Sequence, residues 1–106
     1  MLDVQRVSLE LIEALAPIVE RIRRNNPDLV RQIVRSASSI ALNIGEGLAQ
    51  RGGSARVRFE TAAGSARETQ MALKVAVAWG WVAEQGLTEA LDLLDRLLAM
   101  LWRLRG

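Results

Sequence analysis

Apolar residues recur every three or four positions through most of the chain, and this spacing constrains the fold more than any other feature. An α-helix has about 3.6 residues per turn, so residues spaced in this way share one face. The clearest series are Val30, Ile33, Ala37, Ile40 and Ile44, and Leu87, Leu91, Leu94, Leu98 and Leu101. The chain is therefore predicted to be all-α.

Helix-breaking residues divide the periodic sequence into four segments. Pro27 disfavours helical geometry at the residue before it, the Gly52-Gly53 pair suits a turn, and Gly80 suits the position after a helix end. We predict helices over residues 4–24, 28–50, 55–79 and 86–105. A kink is expected at Pro17, and Ser54 is expected to cap the third helix.

The length and composition of the chain suit one compact domain. Half of its 106 residues are apolar, so residues 1–106 are predicted to share a single core. The predicted connections are short, so each helix runs back beside the one before it, which gives an antiparallel up-down-up-down four-helix bundle. Leucines cover more than one face of the fourth helix, which suggests burial against a second surface such as another subunit.

Cysteine and histidine are both absent from the sequence. This excludes disulfides and thiolate metal sites, and it removes the commonest general base and the commonest ligand of transition metals. Di-metal bundles need Glu-x-x-His pairs, and Ser39 and Ser65 have no base of the usual kind to activate them. We expect no enzyme, no metal and no cofactor.

Nothing in the sequence points to a membrane. No secretion signal is evident at the start of the chain, and the longest apolar stretch, around residues 75–82, is too short to cross a bilayer. We expect no membrane partner and a cytoplasmic location.

Positive charge is concentrated in one part of the sequence. The formal net charge of the chain is only +2, whereas residues 21–58 contain eight arginines and two acidic residues. Such an asymmetry is typical of a face that binds polyanions. Arginines also cluster on solvated helix ends without any partner, so both interpretations stay open here.

Polar and small residues occupy a second face of helix 2 and the middle of helix 3. On helix 2 the polar series is Gln32, Ser36, Ser39, Asn43 and Glu46. On helix 3, Gly64 lies between small residues, although glycine in a helix interior costs about 1 kcal/mol relative to alanine. We expect close approach of another backbone at Gly64 to compensate for that cost.

Residues 35–47 read Arg-Ser-Ala-Ser-Ser-Ile-Ala-Leu-Asn-Ile-Gly-Glu-Gly. This segment resembles the one that typifies the four helix bundle proteins of the 23S ribosomal RNA intervening-sequence protein family, where the pattern is close to Arg-Ala-x-x-Ser-Ile-x-x-Asn-Ile-x-Glu-Gly. The chain departs from it at Ser36-Ala37 and has Gly45 where alanine is usual. Further similarities, which extend the resemblance over nearly the whole chain, are Arg58-Phe59, Gly64-Ser65, Glu68 and Gly80-Trp81.

The resemblance implies a left-handed four-helix monomer that assembles into a ring-like homopentamer, with no established catalytic activity. Related accessory proteins of diversity-generating retroelements are similar in build, and they bind nucleic acid and a reverse transcriptase. The partners that the resemblance implies are therefore further copies of the chain, RNA or DNA, or a separate protein.

An antiparallel pairing of helices 2 and 3 predicts which polar residues face each other. Arg35 then faces Glu68, Ser39 faces Gly64 and Ser65, and Asn43 faces Glu60 and Thr61. We define the polar seam as the set Arg35, Ser39, Asn43, Glu46, Ser65 and Glu68.

The polar seam has two interpretations. It can fix the helix register, because a slip would leave a polar group unpaired at a cost of about 1–3 kcal/mol. Alternatively, Arg35, Asn43, Glu46 and Glu68 form a small-ligand site.

The turn between helices 2 and 3 is expected at the same end of the bundle as the chain termini. Candidate nucleic-acid-binding residues at that end are Arg51, Arg56, Arg58, Arg103 and Arg105. Ser54 and the N-terminus of helix 3 add free backbone donors there. Because Trp79 and Trp81 are expected at the far end, base stacking is not supported, and the predicted binding is weak, salt-sensitive and non-specific.

Trp79, Trp81 and Trp102 are interpreted as packing or subunit-interface residues rather than ligand stackers, since tryptophan is favoured in interface cores. Two functions remain. The first is a non-catalytic homo-oligomeric scaffold that binds nucleic acid weakly and non-specifically. The alternative is an adaptor for a separate protein, such as a reverse transcriptase, without nucleic-acid binding of its own.

Overall fold

The computed structural model describes residues 1–106 and contains no β-strand. Its helices are α1 (Asp3–Arg23), α2 (Pro27–Leu48), α3 (Gly52–Ala78) and α4 (Thr88–Leu104), and a short 3₁₀ helix spans Glu84–Leu87. The all-α prediction is confirmed. The predicted helix bounds lie within three residues of the observed ones.

The starts of α2 and α3 differ in how they are capped. The Asn26 side chain accepts a hydrogen bond from Leu29 N at 2.9 Å and so caps α2. The expectation that Ser54 caps α3 is wrong, because α3 begins two residues earlier, at Gly52, and has no side-chain cap. Gly52 has a φ of +61°, a conformation that glycine adopts without strain and that turns the chain directly into the helix.

The end of α3 is a Schellman motif. Gly80 has a φ of +79°. Its N–H donates to Val77 O at 2.9 Å, and Trp81 N–H donates to Ala76 O at 3.0 Å. These two bonds satisfy carbonyls that the helix leaves free, and glycine is the residue best suited to the left-handed position. The prediction that α3 ends at Gly80 is confirmed.

The helices enclose one apolar core. α1 and α3 each pack against α2 and α4, and the molecule measures 42 × 22 × 21 Å. The predicted apolar series of α2 is buried throughout. On α4, Leu93 and Leu97 are buried as well, because this helix contacts both α1 and α3. The core therefore accommodates most of the leucines that suggested a second surface.

The prediction of a close helix contact at Gly64 is wrong, and the close contact is at Gly47. Gly64 is exposed, and a Cβ built on it would meet no atom within 4 Å. A Cβ on Gly47 would lie 2.5 Å from the buried Phe59 ring, so the tight approach of α2 and α3 is there. Ala62 and Ala66, two residues before and two residues after Gly64, are fully buried on the inner face of α3.

Candidate nucleic-acid interface

The predicted pairing of α2 with α3 is present in most of its details. The Arg35 guanidinium pairs with the Glu68 carboxylate, and Ser65 Oγ donates to Ser39 Oγ at 2.9 Å. Asn43 forms its hydrogen bonds with residues other than Glu60 and Thr61: its Nδ2 donates to Ser39 O at 2.9 Å, and its Oδ1 accepts from Arg58 Nη1 at 3.5 Å.

Sequence reasoning missed the most deeply buried polar contact of this interface. Ser36 Oγ and Thr69 Oγ1 lie 2.7 Å apart, and both side chains are completely buried. Thr69 also donates to Ser65 O at 2.9 Å. Ser36 belongs to the polar series of α2, and Thr69 lies about one helical turn beyond Ser65 on α3, so extending the predicted Ser39–Ser65 pairing by one turn leads to this pair.

The polar groups of this interface are satisfied within the protein. No buried side-chain nitrogen or oxygen atom lacks a hydrogen-bond partner. Arg35 and Glu68 are occupied by each other, and Glu46 lies 3.5 Å from Arg58. This supports a structural role for the polar seam rather than a ligand site.

Four of the five candidate arginines line two open clefts at the α2–α3 turn, which share Arg51, and Arg103 lines neither. One cleft has a volume of about 650 Å³ and is lined by Gln50, Arg51, Ser54, Val57 and Arg58. The other has a volume of about 460 Å³, and its lining includes Arg51, Arg56, Leu104 and Arg105. The C-terminal end of α4 therefore lies beside the turn, as expected.

A third cleft continues from the second along the groove between α3 and α4. It has a volume of about 270 Å³, and its lining includes Phe59, Arg67, Trp102 and Arg105. Phe59 and Arg105 also line the second cleft, so the three clefts form one path over the surface. We call this path the arginine track, after Arg51, Arg56, Arg58, Arg67 and Arg105.

Carboxylates neutralise part of the arginine track. Glu60 accepts a hydrogen bond from Arg56 Nε at 3.1 Å and lies 4.0 Å from Arg105 Nη1, while Glu46 pairs with Arg58. Arg51, Arg67 and Arg103 have no acidic partner within 4.0 Å. Five arginines against two glutamates leave a local excess of positive charge.

The prediction against base stacking rests on Trp79 and Trp81 but leaves out Trp102, which lies at the basic end. Trp102 lines the third cleft, and the Arg105 guanidinium carbon lies 4.3 Å from the centre of its ring. The indole is 65% exposed. Trp102 is adjacent to Arg103 in the sequence, so its neighbourhood could have been recognised there.

The family model described as 23S rRNA-intervening sequence protein matches residues 1–103. The chain belongs to this family. A crystal structure of a protein with unknown function from the S23 ribosomal protein family, from Bacteroides thetaiotaomicron VPI-5482, has the same fold, with a TM-score of 0.86. The two sequences are 18% identical over 97% of this chain and 98% of the other. No curated protein is similar enough to count as a match.

The other two tryptophans of this family member lie far from the arginine track. Trp79 and Trp81 follow α3, and their rings stack with centroids 5.8 Å apart and an interplanar angle of 12°. Trp79 is 69% exposed, whereas Trp81 is half-buried against the core. The three candidate interface residues are therefore divided between the two ends of the molecule.

Two kinds of structural feature are absent from this family member. No group of three or more acidic side chains is arranged to hold a metal ion. None of the helices has the length and apolar character needed to cross a bilayer.

Proposed function

We propose that this chain is a non-catalytic, self-assembling scaffold that binds nucleic acid weakly and non-specifically along the arginine track. The observation that carries the proposal is the continuity of the three clefts around the α2–α3 turn. A phosphate backbone can follow such a path, and contacts to phosphate carry no sequence information.

The proposed architecture is an up-down-up-down bundle. Contacts between neighbouring helices support it. In two antiparallel helices, contacting residues have rising numbers along one helix and falling numbers along the other. On α2 and α3 these are Ser36 with Thr69 and Ser39 with Ser65. On α3 and α4 they are Gln70 with Asp95 and Glu60 with Arg105. The left-handed sense, which rests on the family resemblance, stays a prediction.

The proposed assembly is a homo-oligomer, with a pentamer as the expected state from the family resemblance. An apolar groove between α1 and α2 supports self-association. It has a volume of about 170 Å³ and is lined by seven hydrophobic residues and one serine, Ser38. Val34, in this groove, is 49% exposed, and large exposed apolar residues grouped together favour burial against a partner.

The proposed nucleic-acid binding is weak because its charges are exposed and partly neutralised. Arg56 and Arg58 are about half exposed and already paired with carboxylates. A phosphate has to compete with those carboxylates, and salt screens contacts between exposed charges. In an oligomer the track is repeated on every copy, so weak contacts add through multivalency.

The adaptor function remains the second candidate, and the Trp79–Trp81 pair favours it. Stacked tryptophans of which one is largely exposed can anchor a protein partner, since tryptophan is enriched among interface residues that dominate binding. This pair is remote from the arginine track, so the two functions predict different sensitive residues.

A salt titration tests the proposal and separates the two candidates. Fluorescence anisotropy of labelled RNA and DNA of random sequence is measured with the wild-type protein over a range of salt concentrations. We expect binding at low salt, similar for different sequences, and a linear fall of log K with log salt. Absence of binding at the lowest salt concentration would leave the adaptor function as the better account.

The native mass of the protein tests the assembly independently. Native mass spectrometry or light scattering is expected to give a single closed oligomer, five copies being the predicted number. A monomer at micromolar concentration would contradict the scaffold proposal whatever the result with nucleic acid.

A further inference from the structure

We propose that Trp102, with Arg105 on its ring, is a stacking platform for an unpaired base, so that the arginine track prefers single-stranded to duplex nucleic acid. This inference rests on the proposed function and adds to it the class of strand that is bound.

The first support is the position of Trp102. Its indole is 65% exposed and forms a wall of the third cleft. Tryptophan is strongly apolar, and such exposure leaves a large aromatic surface in water. The volume of the cleft, about 270 Å³, approaches that of small ligand pockets, which begin at about 300 Å³.

The second support is the cation beside the ring. Arg105 lies 4.3 Å from the ring centre, a cation–π distance. Bases stack on guanidinium planes as well as on aromatic rings. A base can therefore stack on the free face of Trp102, or on Arg105 while Arg105 remains on the ring.

The third support is the charge next to the ring. Arg67 lines the same cleft and has no acidic partner, and Arg51 lies farther along the track. Proteins that bind single strands without sequence preference combine such a basic groove with aromatic stacking, which contributes about 1–3 kcal/mol per base. In a duplex the bases are already stacked and paired, so the platform cannot reach them.

The surroundings of Trp102 favour a nucleic acid over a second copy of the chain. Interface cores are depleted in charged residues. Around Trp102 the structure has Arg67, Arg105 and Glu60 in the cleft, and Arg103 is adjacent in sequence. Burial of this site against another protein would desolvate three or more charges, whereas a phosphate backbone would pair with the cations.

The test uses a protein in which Trp102 is the only tryptophan. Trp79→Phe with Trp81→Phe leaves its fluorescence as a local reporter. A short single-stranded oligonucleotide, a duplex of the same sequence and an abasic strand of the same length are titrated in turn. We expect quenching and the tightest binding with the normal single strand, and binding about tenfold weaker with the abasic strand.

Two variants of Trp102 separate the contribution of the aromatic ring to binding from the contribution of the surrounding charges. Trp102→Ala is expected to weaken binding of the normal strand about tenfold and to leave the abasic strand unaffected, and Trp102→Phe is expected to restore most of the loss. Circular dichroism and native mass, measured on each variant, show whether fold and assembly are retained.

The outcomes distinguish this inference from the proposed function. Equal affinity for normal and abasic strands would overturn the stacking platform while leaving phosphate binding intact. Failure of every strand to bind would overturn both. Fluorescence that depends on protein concentration without nucleic acid, together with a lower native mass for Trp102→Ala, would assign Trp102 to a subunit interface and overturn the inference.

Discussion

The Ser36 hydroxyl lies 2.7 Å from the Thr69 hydroxyl, with both side chains completely buried between α2 and α3. The residues directly before them in the sequence, Arg35 and Glu68, form an ion pair whose side chains are 64% and 42% exposed. The two pairs join the same helices, but they differ in their contact with water. The buried pair is therefore the better candidate for fixing the register of α2 and α3.

Double-mutant cycles on the two pairs test this difference. For Ser36→Ala and Thr69→Val we expect a coupling in the free energy of unfolding of about 1 kcal/mol, because either substitution removes the buried hydrogen bond between the two helices. For Arg35→Met and Glu68→Gln we expect about 0.2–1 kcal/mol, falling as salt is added. A larger coupling for the exposed pair than for the buried one would contradict the assignment.

Two helical glycines provide a second stability test. Gly47→Ala is expected to lower the free energy of unfolding by about 1–3 kcal/mol, because its Cβ would overlap the buried Phe59 ring. Gly64→Ala is expected to raise it by about 0.5–1 kcal/mol, since the new methyl group meets no atom and alanine favours the helix. Thermal or urea unfolding measures both. Destabilisation by Gly64→Ala would indicate a contact that the isolated chain does not contain.

The glycines also illustrate how far the sequence alone determines this fold. Spacing of apolar residues and breakers locates the helices, and the antiparallel register predicts Arg35 with Glu68 and Ser39 with Ser65. Sequence spacing cannot say which face of α3 turns inward, because alanine occurs on both faces of its small-residue segment. The spacing therefore does not reveal that Gly64 lies on the exposed face of α3.

The candidate site was predictable in position but incomplete in composition. The arginines at the α2–α3 turn are predicted from topology, which brings the α4 terminus beside that turn. The contact of Glu60 with Arg105 depends on side-chain conformations across α3 and α4, and such a contact between distant segments has no local sequence signal. The contact of Arg105 with Trp102 joins residues three apart in the sequence, so it has a local signal that the prediction from the sequence did not use.

Glu60 limits the positive charge of the arginine track. Its carboxylate holds Arg56 and lies within 4.0 Å of Arg105. Glu60→Gln frees both cations, so we expect affinity for a single-stranded oligonucleotide at low salt to rise about threefold. Glu84→Gln, which makes the same charge change in the 3₁₀ helix, is the matched control and is expected to have no effect. Equal gains from both variants would point to net charge rather than to the track.

The apolar groove between α1 and α2 is the surface we expect subunits to bury. Val34→Arg introduces a charge into that groove, and burial of an unpaired charge is strongly unfavourable. The native mass of this variant is therefore expected to fall. Met71→Arg, at an exposed apolar residue of α3, is the control and is expected to retain the wild-type mass. An unchanged mass for Val34→Arg would exclude this groove from the interface.

The most direct test of the central claim compares two variants of equal net charge. Arg51→Gln with Arg58→Gln removes two cations of the arginine track, and Arg21→Gln with Arg24→Gln removes two exposed cations from the end of α1. Affinity for a single-stranded oligonucleotide is measured for both over a range of salt concentrations. We predict that only the track variant binds about tenfold more weakly at low salt, with a salt slope smaller by about 0.7 for each lost phosphate contact. Equal weakening of the two variants would contradict the claim that nucleic acid binds along the track.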